Sequence, residues 1–331
     1  MTDMSKNLPS LQQIREACET LDGRIVETPV LNLSHDPIVD LLGGHVSMKL
    51  ELFQHAGSFK ARGNLLGMDR LDATQRAAGV IAASGGNHAL AVSWAAQKLA
   101  VAATIVMPRA TDPLRIEGCK AFGSSVLLVD DIASAFDLMN TRAANDGLTM
   151  MHPFEGEHMT LGAATCGKEI LNALPDLDVM VVAVGGGGLI SGISAAIKQA
   201  RPTCEIIGVE PFGADSLFQS LEKGEPVRIG KVNTIADSLG SPAALPYSFA
   251  IAQKFVRRVI RIEDNVMLEA MGFMRDHLKL MVEPACAAAL AAAMGPLHDE
   301  IRGKRACLLA CGSNIGLERY NLLLGNQQAR A

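Results

Sequence analysis

Short apolar runs alternate with longer amphipathic segments along most of the chain. Runs such as 80–83 and 179–184 have the length of buried strands, and the segments after them have the apolar spacing of helices. Strands that alternate with helices favour parallel pairing with right-handed crossover connections. The pattern therefore predicts an α/β fold with two open, twisted parallel sheets flanked by helices.

Turn residues and helix-capping residues divide the chain into predicted elements. We predict strands at 46–51, 80–83, 102–107, 125–129, 149–151, 179–184, 206–209, 259–262 and 306–310. We predict helices at 9–23, 63–71, 87–99, 112–122, 132–145, 160–174, 189–199, 264–277 and 287–294. Residues 28–30 are predicted to be extended, and 239–247 to form a loop because prolines interrupt them.

The predicted division into domains follows from the two series of strands. About four strands fit between residues 65 and 155, which is enough for a small sheet. The first segment, up to about residue 50, is predicted to join the second sheet. We therefore predict a large domain of residues 1–60 and 156–331 and a small domain of residues 61–155, with a cleft between them.

Composition and charge argue against several classes of protein. The 331-residue chain has a net charge of −5 and no basic stretch, which argues against a nucleic-acid surface and against anchoring to an anionic membrane. No apolar run approaches the roughly 20 residues of a membrane helix, and residues 1–10 lack a signal-peptide core. The seven cysteines are scattered without a Cys-x-x-Cys pair, as expected for reduced thiols in the cytoplasm.

A lysine stands where a predicted strand turns into a helix, in the run Ser58-Phe59-Lys60-Ala61-Arg62-Gly63-Asn64. Its neighbours are small, apolar or hydrogen-bonding, and this place in an α/β fold is the usual position for chemistry. Burial lowers the pKa of a lysine amine, which then becomes a nucleophile for carbonyl compounds. Lys60 is therefore a candidate Schiff-base lysine; a solvated lysine at a helix N-terminus is the alternative.

Four consecutive glycines, Gly185, Gly186, Gly187 and Gly188, follow an apolar run and precede Leu189 and a predicted helix. Glycines let backbone N–H groups approach an anion, and the helix N-terminus adds partial positive charge. The Gly-x-Gly-x-x-Gly pattern of dinucleotide-binding proteins and the Gly-Lys-Ser/Thr of a P-loop are both absent. The loop therefore predicts a site for the phosphate of a small cofactor; a tight packing turn is the alternative.

Two further loops follow predicted strands. Ser84-Gly85-Gly86-Asn87-His88 begins a helix, and its N–H groups and hydroxyl could bind a carboxylate while the Asn87 amide binds a phenolic oxygen. Cys311-Gly312-Ser313-Asn314 follows the last strand, where a thiol or hydroxyl could face a heteroaromatic nitrogen; a turn with an inert buried cysteine is the alternative. Together with the lysine and the glycines, these loops supply what pyridoxal phosphate needs to act on an amino acid.

The motifs Ser-Phe-Lys-x-Arg-Gly, Ser-x-Gly-Asn-His-Ala, Gly-Gly-Gly-Gly-Leu and the terminal Gly-x-Asn occur in this order along the chain. In this order and spacing they resemble the serine/threonine dehydratase and serine racemase family of fold-type II pyridoxal phosphate enzymes. The resemblance implies pyridoxal 5'-phosphate bound by the large domain in the cleft, a mobile small domain that covers an amino acid substrate, and a homodimer. It also implies removal of a β-hydroxyl to give a 2-oxo acid and ammonia.

The same resemblance implies a role for each loop residue. Lys60 would bind the cofactor covalently, with Phe59 against its ring. Asn87 would bond the ring hydroxyl, and the amides of Gly185, Gly186, Gly187, Gly188 and Leu189 would hold the phosphate. Cys311 would face the ring nitrogen, with Ser313 as the other candidate. Ser84, Gly85, Gly86, Asn87 and His88 would hold the substrate carboxylate.

Three departures from the family pattern bear on the substrate and on metal binding. Gly85 replaces the second serine that delivers a proton in the racemase branch, which disfavours racemisation. The family's cation site is matched at Glu210 and Ala214, but its last position holds Ser216, so we assign no metal. Phe154 is predicted to lie where the two domains meet, and it could line a pocket for a large β-substituent, such as the phenyl group of phenylserine, or pack at the hinge.

These observations leave three classes of function open. A dehydratase of the serine/threonine type, with phenylserine as a candidate substrate, is the leading hypothesis. An amino acid racemase or a β-replacement synthase is the alternative within the family, although the synthase branch usually has Gly-Asn-Thr where this chain has Gly-Asn-His. A non-enzymatic nucleotide-binding module is the alternative outside the family.

Overall fold

The computed structural model of the chain describes residues 8–34 and 36–328. Within these residues the strands are β1 (Val30–Asn32), β2 (His45–Leu50), β3 (Val80–Ala83), β4 (Ala103–Pro108), β5 (Ser125–Val129), β6 (Thr149–Met150), β7 (Val179–Ala183), β8 (Glu205–Pro211), β9 (Arg258–Ile262) and β10 (Arg305–Ala310). The helices are α1 (Leu11–Leu21), α2 (Asp36–Leu42), α3 (Lys60–Asp69), α4 (Ala73–Ala78), α5 (Asn87–Leu99), α6 (Pro113–Ala121), α7 (Ile132–Asp146), α8 (Glu157–Ala173), α9 (Gly188–Ala200), α10 (Ser216–Lys223), α11 (Pro246–Phe255), α12 (Asp264–Phe273), α13 (Pro284–Met294), α14 (His298–Ile301) and α15 (Leu317–Gln328).

The strands form two sheets. The larger sheet has the order β1-β2-β10-β7-β8-β9 and the smaller one the order β5-β4-β3-β6. All pairings are parallel except that of β1 with β2, which is antiparallel. The predicted α/β class with two parallel sheets is thus confirmed, and the antiparallel edge strand β1 is a feature that the apolar pattern did not predict.

The sheet order brings two of the predicted loops together. β2 and β10 are neighbours, and Leu50 pairs with Ala310 at their carboxyl ends. The lysine loop and the loop that begins at Cys311 therefore leave the same edge of the larger sheet. The glycine loop follows β7, which pairs with the other side of β10. This arrangement is the usual setting for a ligand in an open parallel sheet.

Close contacts between helices fix the position of α3, which begins at Lys60. A Cβ atom on Gly162 of α8 would lie only 2.4 Å from the Cα atom of Gly63, so both helices need glycine at this crossing. Arg62 is fully buried, and its guanidinium bonds Glu51 at 2.7 Å and Glu169 at 2.6 Å. Arg62 thus ties the start of α3 to the segment after β2 and to α8.

Several element boundaries differ from those predicted. Helix α3 begins at Lys60 rather than at residue 63. Residues 246–255 form α11, because Pro246 occupies its first turn, where a missing N–H costs nothing. Helices α4, α10, α14 and α15 were not predicted, and α12 passes after Phe273 into a short π-helix, Met274–Leu278.

The smaller sheet is built from residues 80–150, and the larger sheet from strands on either side of them. The exact domain boundaries at residues 60 and 155 stay a prediction. In the part of the chain that the structure describes, no helix combines the length and the apolar character that crossing a bilayer requires.

Candidate active site

A short β-bridge joins the lysine loop to the terminal loop. Ser58 pairs with Gly312, the Phe59 N–H donates to the Cys311 carbonyl at 3.3 Å, and the Ser313 N–H donates to the Gly57 carbonyl at 3.0 Å. A Cβ atom on Gly312 would lie 2.9 Å from Nδ2 of Asn87. The structure therefore brings together three of the loops singled out from the sequence.

Lys60 is half-buried at the first position of α3. Its Nζ donates to the carbonyl of Pro153 and lies 4.9 Å from the centroid of the Phe59 ring. Burial lowers the pKa of the Lys60 amine to about 8, and nearby Cys311 acts in the opposite direction. A substantial neutral fraction near neutral pH is what a nucleophilic lysine needs.

Asn87 lies at the first position of α5, where its amide is oriented from both sides. Its Nδ2 donates to Oε1 of Glu283 at 2.6 Å, and its Oδ1 accepts from Nδ2 of Asn314 at 2.6 Å. The second Nδ2 hydrogen has only a long contact, 3.4 Å, to Oγ of Ser238. One amide N–H of Asn87 therefore remains for a ligand.

The side chain of His88 is already committed to other partners. Its Nε2 lies 2.9 Å from the Met151 carbonyl, and its Nδ1 lies 3.2 Å from Nδ2 of Asn64. Burial holds the pKa of His88 well below its usual range, so the ring is neutral, donating from Nε2 and accepting at Nδ1. If His88 binds a carboxylate, only its backbone N–H at the start of α5 can do so.

The loop before α5 has a conformation fixed by its own side chains. Oγ of Ser84 accepts from the Gly86 N–H at 3.1 Å. A Cβ atom on Gly85 would lie 2.6 Å from Oγ1 of Thr111, so that hydroxyl occupies the space beside Gly85. The loop thus presents backbone N–H groups rather than a side chain at position 85.

The glycine loop has the geometry of an anion cradle. Gly187 caps α9 with φ +91°, a conformation that favours glycine, and the Ser191 N–H makes its helical bond to the Gly187 carbonyl at 3.0 Å. The N–H groups of Gly188, Leu189 and Ile190 therefore have no acceptor within the helix. They are available to a phosphate together with the positive end of the helix dipole.

Phe154 packs directly on the glycine loop. A Cβ atom on Gly186 would lie 2.3 Å from two carbon atoms of its ring, and one on Gly188 would lie 2.4 Å from its carbonyl oxygen. The ring also meets His152 edge-on, with centroids 4.7 Å apart. The next residue, Glu155, accepts from the Tyr247 N–H at 2.7 Å and so caps α11. Phe154 therefore lies beside the candidate phosphate cradle and is half-buried.

The two candidates for a ring-nitrogen partner differ in their surroundings. Oγ of Ser313 donates to the Leu52 carbonyl at 3.2 Å. The Cys311 thiol is buried, and its contact with Cys286 together with burial raises its pKa well above the usual range. Cys311 is therefore a neutral thiol close to Lys60.

Comparison with known proteins identifies a family and several relatives that this chain resembles. A family model described as pyridoxal-phosphate dependent enzyme matches residues 21–312. Phenylserine dehydratase from Ralstonia pickettii is 40% identical over 96% of this chain and 97% of that protein. L-threonine ammonia-lyase from Thermotoga maritima is 33% identical over 95% of this chain and 78% of that protein. The solved structure of maize serine racemase superposes with a TM-score of 0.89 at 30% identity, over 97% of this chain and 98% of that one.

The chain belongs to the pyridoxal-phosphate dependent enzymes. The family resemblance inferred from the four motifs is thus confirmed, and pyridoxal 5'-phosphate is the cofactor. A non-enzymatic nucleotide-binding module is excluded by the same finding.

The residues present fit this cofactor. Among the described residues, the buried Oγ of Ser58 in the lysine loop has no hydrogen-bond partner, and the Cβ atom of Ser58 lies 3.3 Å from the position of a Cβ atom on Gly312. The free helix N–H groups after the glycine loop suit a phosphate, the spare N–H of Asn87 suits a ring hydroxyl, and the Lys60 amine suits an aldehyde. Each functional group of the cofactor therefore has a complementary protein group.

The candidate cation position has a different set of contacts. Both carboxylate oxygens of Glu210 accept backbone N–H groups, from Leu217 at 3.0 Å and Phe218 at 2.7 Å, and burial raises the pKa of Glu210 to about 8. Asp215 is paired with Arg261 at 3.1 Å. Within the described residues, no group of three His, Cys, Asp or Glu side chains could hold a metal ion. Glu210 acts here as a cap for α10.

Two buried charged residues of the site were missed from the sequence. Glu283 is fully buried and holds Asn87, and Arg115 is 4% exposed and donates to Glu283 at 3.2 Å. Neither lies in one of the four motifs. Glu283 directly precedes the alanine-rich helix α13. A single carboxylate next to a helix this apolar is a signal for a buried acid that pairs with another polar group.

Proposed function

We propose that this enzyme is a dehydratase that removes the β-hydroxyl group of a β-hydroxy-α-amino acid, with phenylserine as the candidate substrate. Loss of the α-hydrogen and the β-hydroxyl as water, followed by hydrolysis, would give a 2-oxo acid and ammonia. The observation that carries the proposal is the Lys60 amine, with a pKa of about 8, placed among a phosphate cradle, an oriented Asn87 and a neutral Cys311.

Each residue of the site has a proposed task. Lys60 would hold the cofactor covalently, and its amine in the neutral form would accept the α-proton of the substrate. The N–H groups of the glycine loop and Leu189 bind the phosphate, Phe59 lies against the ring, and Asn87 donates to the ring hydroxyl. Bound pyridoxal phosphate supplies the electron sink for the carbanion at the α-carbon.

The substrate carboxylate is proposed to bind at the start of α5. The N–H groups of Asn87 and His88 are free of helical acceptors, and Gly85 exposes its backbone. Ser84 and Gly86 set the loop conformation through the 3.1 Å bond between them. The negative carboxylate is favoured there by the helix dipole.

Cys311 is the proposed partner of the ring nitrogen. Ser313 is supported less, because its hydroxyl already donates to the Leu52 carbonyl. A neutral thiol cannot hold a pyridine nitrogen protonated as a carboxylate would. The carbanion would then be short-lived, which favours expulsion of a β-hydroxyl over slower side reactions.

Phenylserine is proposed on two grounds. The relative from Ralstonia pickettii that is 40% identical over nearly its whole length is named for that substrate. In addition, the half-buried Phe154 ring lies beside the glycine loop, where an aryl group could contact it. Apolar contact contributes about 25 cal/mol per Å² removed from water, and an aromatic pair adds roughly 0.5–1.5 kcal/mol.

A panel of serine, threonine, 3-hydroxyaspartate and 3-phenylserine, assayed by release of the 2-oxo acid, tests the proposal. We expect kcat/KM for phenylserine to exceed that for serine by at least about tenfold, which is roughly 1.4 kcal/mol. Lys60→Ala is the negative control and should lose both turnover and covalent attachment of the cofactor. Turnover by this variant, or oxo-acid release from none of the substrates, would contradict the proposal.

Phe154→Asn separates the two roles of Phe154. If the ring contacts the substrate, this variant should weaken turnover of phenylserine more than that of serine. If both substrates slow by the same factor, Phe154 only packs on the glycine loop, and the general serine/threonine activity is the better assignment.

Racemisation is the second candidate function, because the solved structure of maize serine racemase resembles this chain over 97% of its length. Gly85 offers no side-chain proton donor, which favours elimination. Deuterium incorporation and the enantiomer ratio of recovered substrate distinguish the two reactions.

A homodimer and a cytoplasmic location are further proposals. All seven cysteines are free thiols in the structure, which supports a reducing compartment. Sedimentation equilibrium of the purified enzyme tests the homodimer, and a mass equal to one chain would contradict it.

A further inference from the structure

Arg115 lies in the first turn of α6 and connects four separate segments around the site. Its Nε donates to the Asn314 carbonyl at 2.9 Å, and its Nη1 donates to the Gly85 carbonyl at 3.2 Å and to Asp237 at 2.6 Å. Its Nη2 donates to Glu283 at 3.2 Å. All the guanidinium nitrogens are therefore in use, on a side chain that is almost fully buried.

Each acceptor belongs to a segment that forms the site. Gly85 is in the loop proposed to hold the substrate carboxylate, and Asn314 is in the terminal loop, where its Nδ2 bonds Asn87 at 2.6 Å. Glu283 orients the same Asn87 from the other side. Asp237 precedes Ser238, whose carbonyl lies 3.1 Å from the position of a Cβ atom on Gly185.

The segments also come from the two sides of the cleft. Helix α6 connects β4 and β5 of the smaller sheet, and Gly85 follows β3 of that sheet. In the larger sheet, Asp237 lies between β8 and β9, Glu283 lies between β9 and β10, and Asn314 follows β10. The Arg115 contacts therefore join the carboxylate-binding loop on one sheet to the cofactor-binding loops on the other.

We propose that Arg115 is a positioning residue that holds the loop of residues 84–88 in register with Asn87, Glu283 and Asn314, and so sets the affinity for the substrate carboxylate. The inference rests on the proposed amino acid substrate. Arg115 touches neither Lys60 nor the glycine loop in the described contacts, so it acts through the loops that it connects.

Only arginine can make this set of contacts. Its planar guanidinium carries five N–H donors in a fixed geometry, whereas a lysine has one nitrogen with three donors. Lysine could replace the charge beside Glu283 or Asp237 but could not reach the Gly85 and Asn314 carbonyls at the same time. Relative to Arg115→Met, Arg115→Lys should therefore recover more of the lost stability than of the lost substrate affinity.

The test uses the holoenzyme with the Arg115→Met and Arg115→Lys variants. Alanine and phenylalanine have the amine and carboxylate of a substrate but no β-leaving group, and their binding is followed by the change in the visible spectrum of the bound cofactor. We expect the Kd of the more tightly bound of the two to rise at least tenfold in Arg115→Met, with a smaller rise in Arg115→Lys. KM for the eliminated substrate should rise by a larger factor than kcat falls.

Two further variants separate positioning from folding. Arg115→Met alone leaves Glu283 as a buried charge without its cation, which is destabilising, so the double variant Arg115→Met with Glu283→Gln removes both charges together. Arg109→Met is the matched control, because Arg109 precedes the same helix but has a side chain that is 66% exposed and forms an ion pair with exposed Asp130. This control should have the wild-type Kd and Tm.

A double variant with the wild-type Tm and the wild-type Kd would overturn the inference. So would an Arg115→Met variant whose activity falls only with its folded fraction, at unchanged KM. If the wild-type enzyme binds the amino acid but releases no oxo acid, the proposed dehydratase function fails, while the dependence of Kd on Arg115 still decides the role of this residue.

Discussion

The contact between Gly186 and Phe154 provides a quantitative test of the glycine loop. In Gly186→Ala the new Cβ atom would lie 2.3 Å from two ring carbons and 2.4 Å from a third, about 1 Å inside ordinary contact distance. Gly186 does not have a positive φ, so alanine is compatible with its backbone and the effect is purely steric. Overpacking of this kind costs roughly 1–3 kcal/mol, or else the ring and the loop move apart.

A shift of the loop would misplace the N–H groups of Gly188 and Leu189. Hydrogen bonds to a charged group contribute roughly 1.5–3 kcal/mol each, so the partial loss of one weakens cofactor binding about tenfold to a hundredfold. The assays are the urea unfolding midpoint of the apoenzyme and the Kd for pyridoxal 5'-phosphate. Phe154→Ala in the same chain removes the clashing ring and should recover most of both losses.

Gly187→Ala is the matched control for the double-mutant cycle of Gly186→Ala and Phe154→Ala. Its Cβ atom would lie 3.4 Å from Ser248, an ordinary contact, but its φ of +91° strains any residue with a side chain. Phe154→Ala should therefore rescue Gly186→Ala and leave Gly187→Ala unchanged. Strictly additive effects of Gly186→Ala and Phe154→Ala would refute the reasoning, because residues in contact couple by roughly 0.5–3 kcal/mol.

Three other predictions concern chemistry at the site. The rate at which the apoenzyme binds the cofactor covalently should increase as pH rises and level off above pH 8, because the Lys60 amine, with a pKa of about 8, reacts in its neutral form. Stopped-flow absorbance measures this rate, and a rate that keeps increasing up to pH 10 would contradict the lowered pKa. Gly85→Ser should raise the rate of racemisation only when combined with Thr111→Ala, because Oγ1 of Thr111 lies 2.6 Å from the new Cβ atom. Chiral chromatography measures the rate, and a single variant that racemises as fast as the double variant would contradict the prediction. Ca²⁺ should raise the Tm of Ser216→Asp, which adds a carboxylate at the last position of the family's cation site, but should not raise the Tm of the parent enzyme. A cation-dependent Tm in the parent would contradict the assignment of Glu210 as a helix cap.

The fold and the catalytic loops could be predicted because both depend on local patterns. The apolar runs that became β3 and β7 are buried on both faces, and such runs carry their own signal. The motifs that begin at Ser84 and Cys311 directly follow β3 and β10, and the row of glycines begins two residues after β7, whereas two short 3-10 turns separate β2 from the lysine motif. A lysine or a row of glycines close to the end of a strand has few structural explanations. The same reasoning failed at Pro246, which contributed to the prediction of a loop over residues 239–247 but occupies the first turn of α11.

The polar contacts between distant segments could not be predicted. Arg115 and Glu283 are 168 positions apart in the chain, and Asn87 and Glu283 are 196 apart. A charged residue in an amphipathic segment is usually on the solvent side, so periodicity alone does not single out Arg115 as a buried residue. Its burial depends on acceptors from four loops, and no local pattern records them.

The same limit explains why Phe154 could not be assigned from the sequence. From the sequence, Phe154 was expected either to pack at the hinge or to line the substrate pocket, but not to do both. The structure places the ring against Gly186 and its carbonyl against Gly188, while the preceding carbonyl accepts the Lys60 amine. A residue that packs on the phosphate cradle and borders the lysine can shape the pocket without a contact of its own to the substrate. The ratio of phenylserine to serine turnover in Phe154→Asn therefore carries information that neither the position of this residue in the chain nor its burial contains.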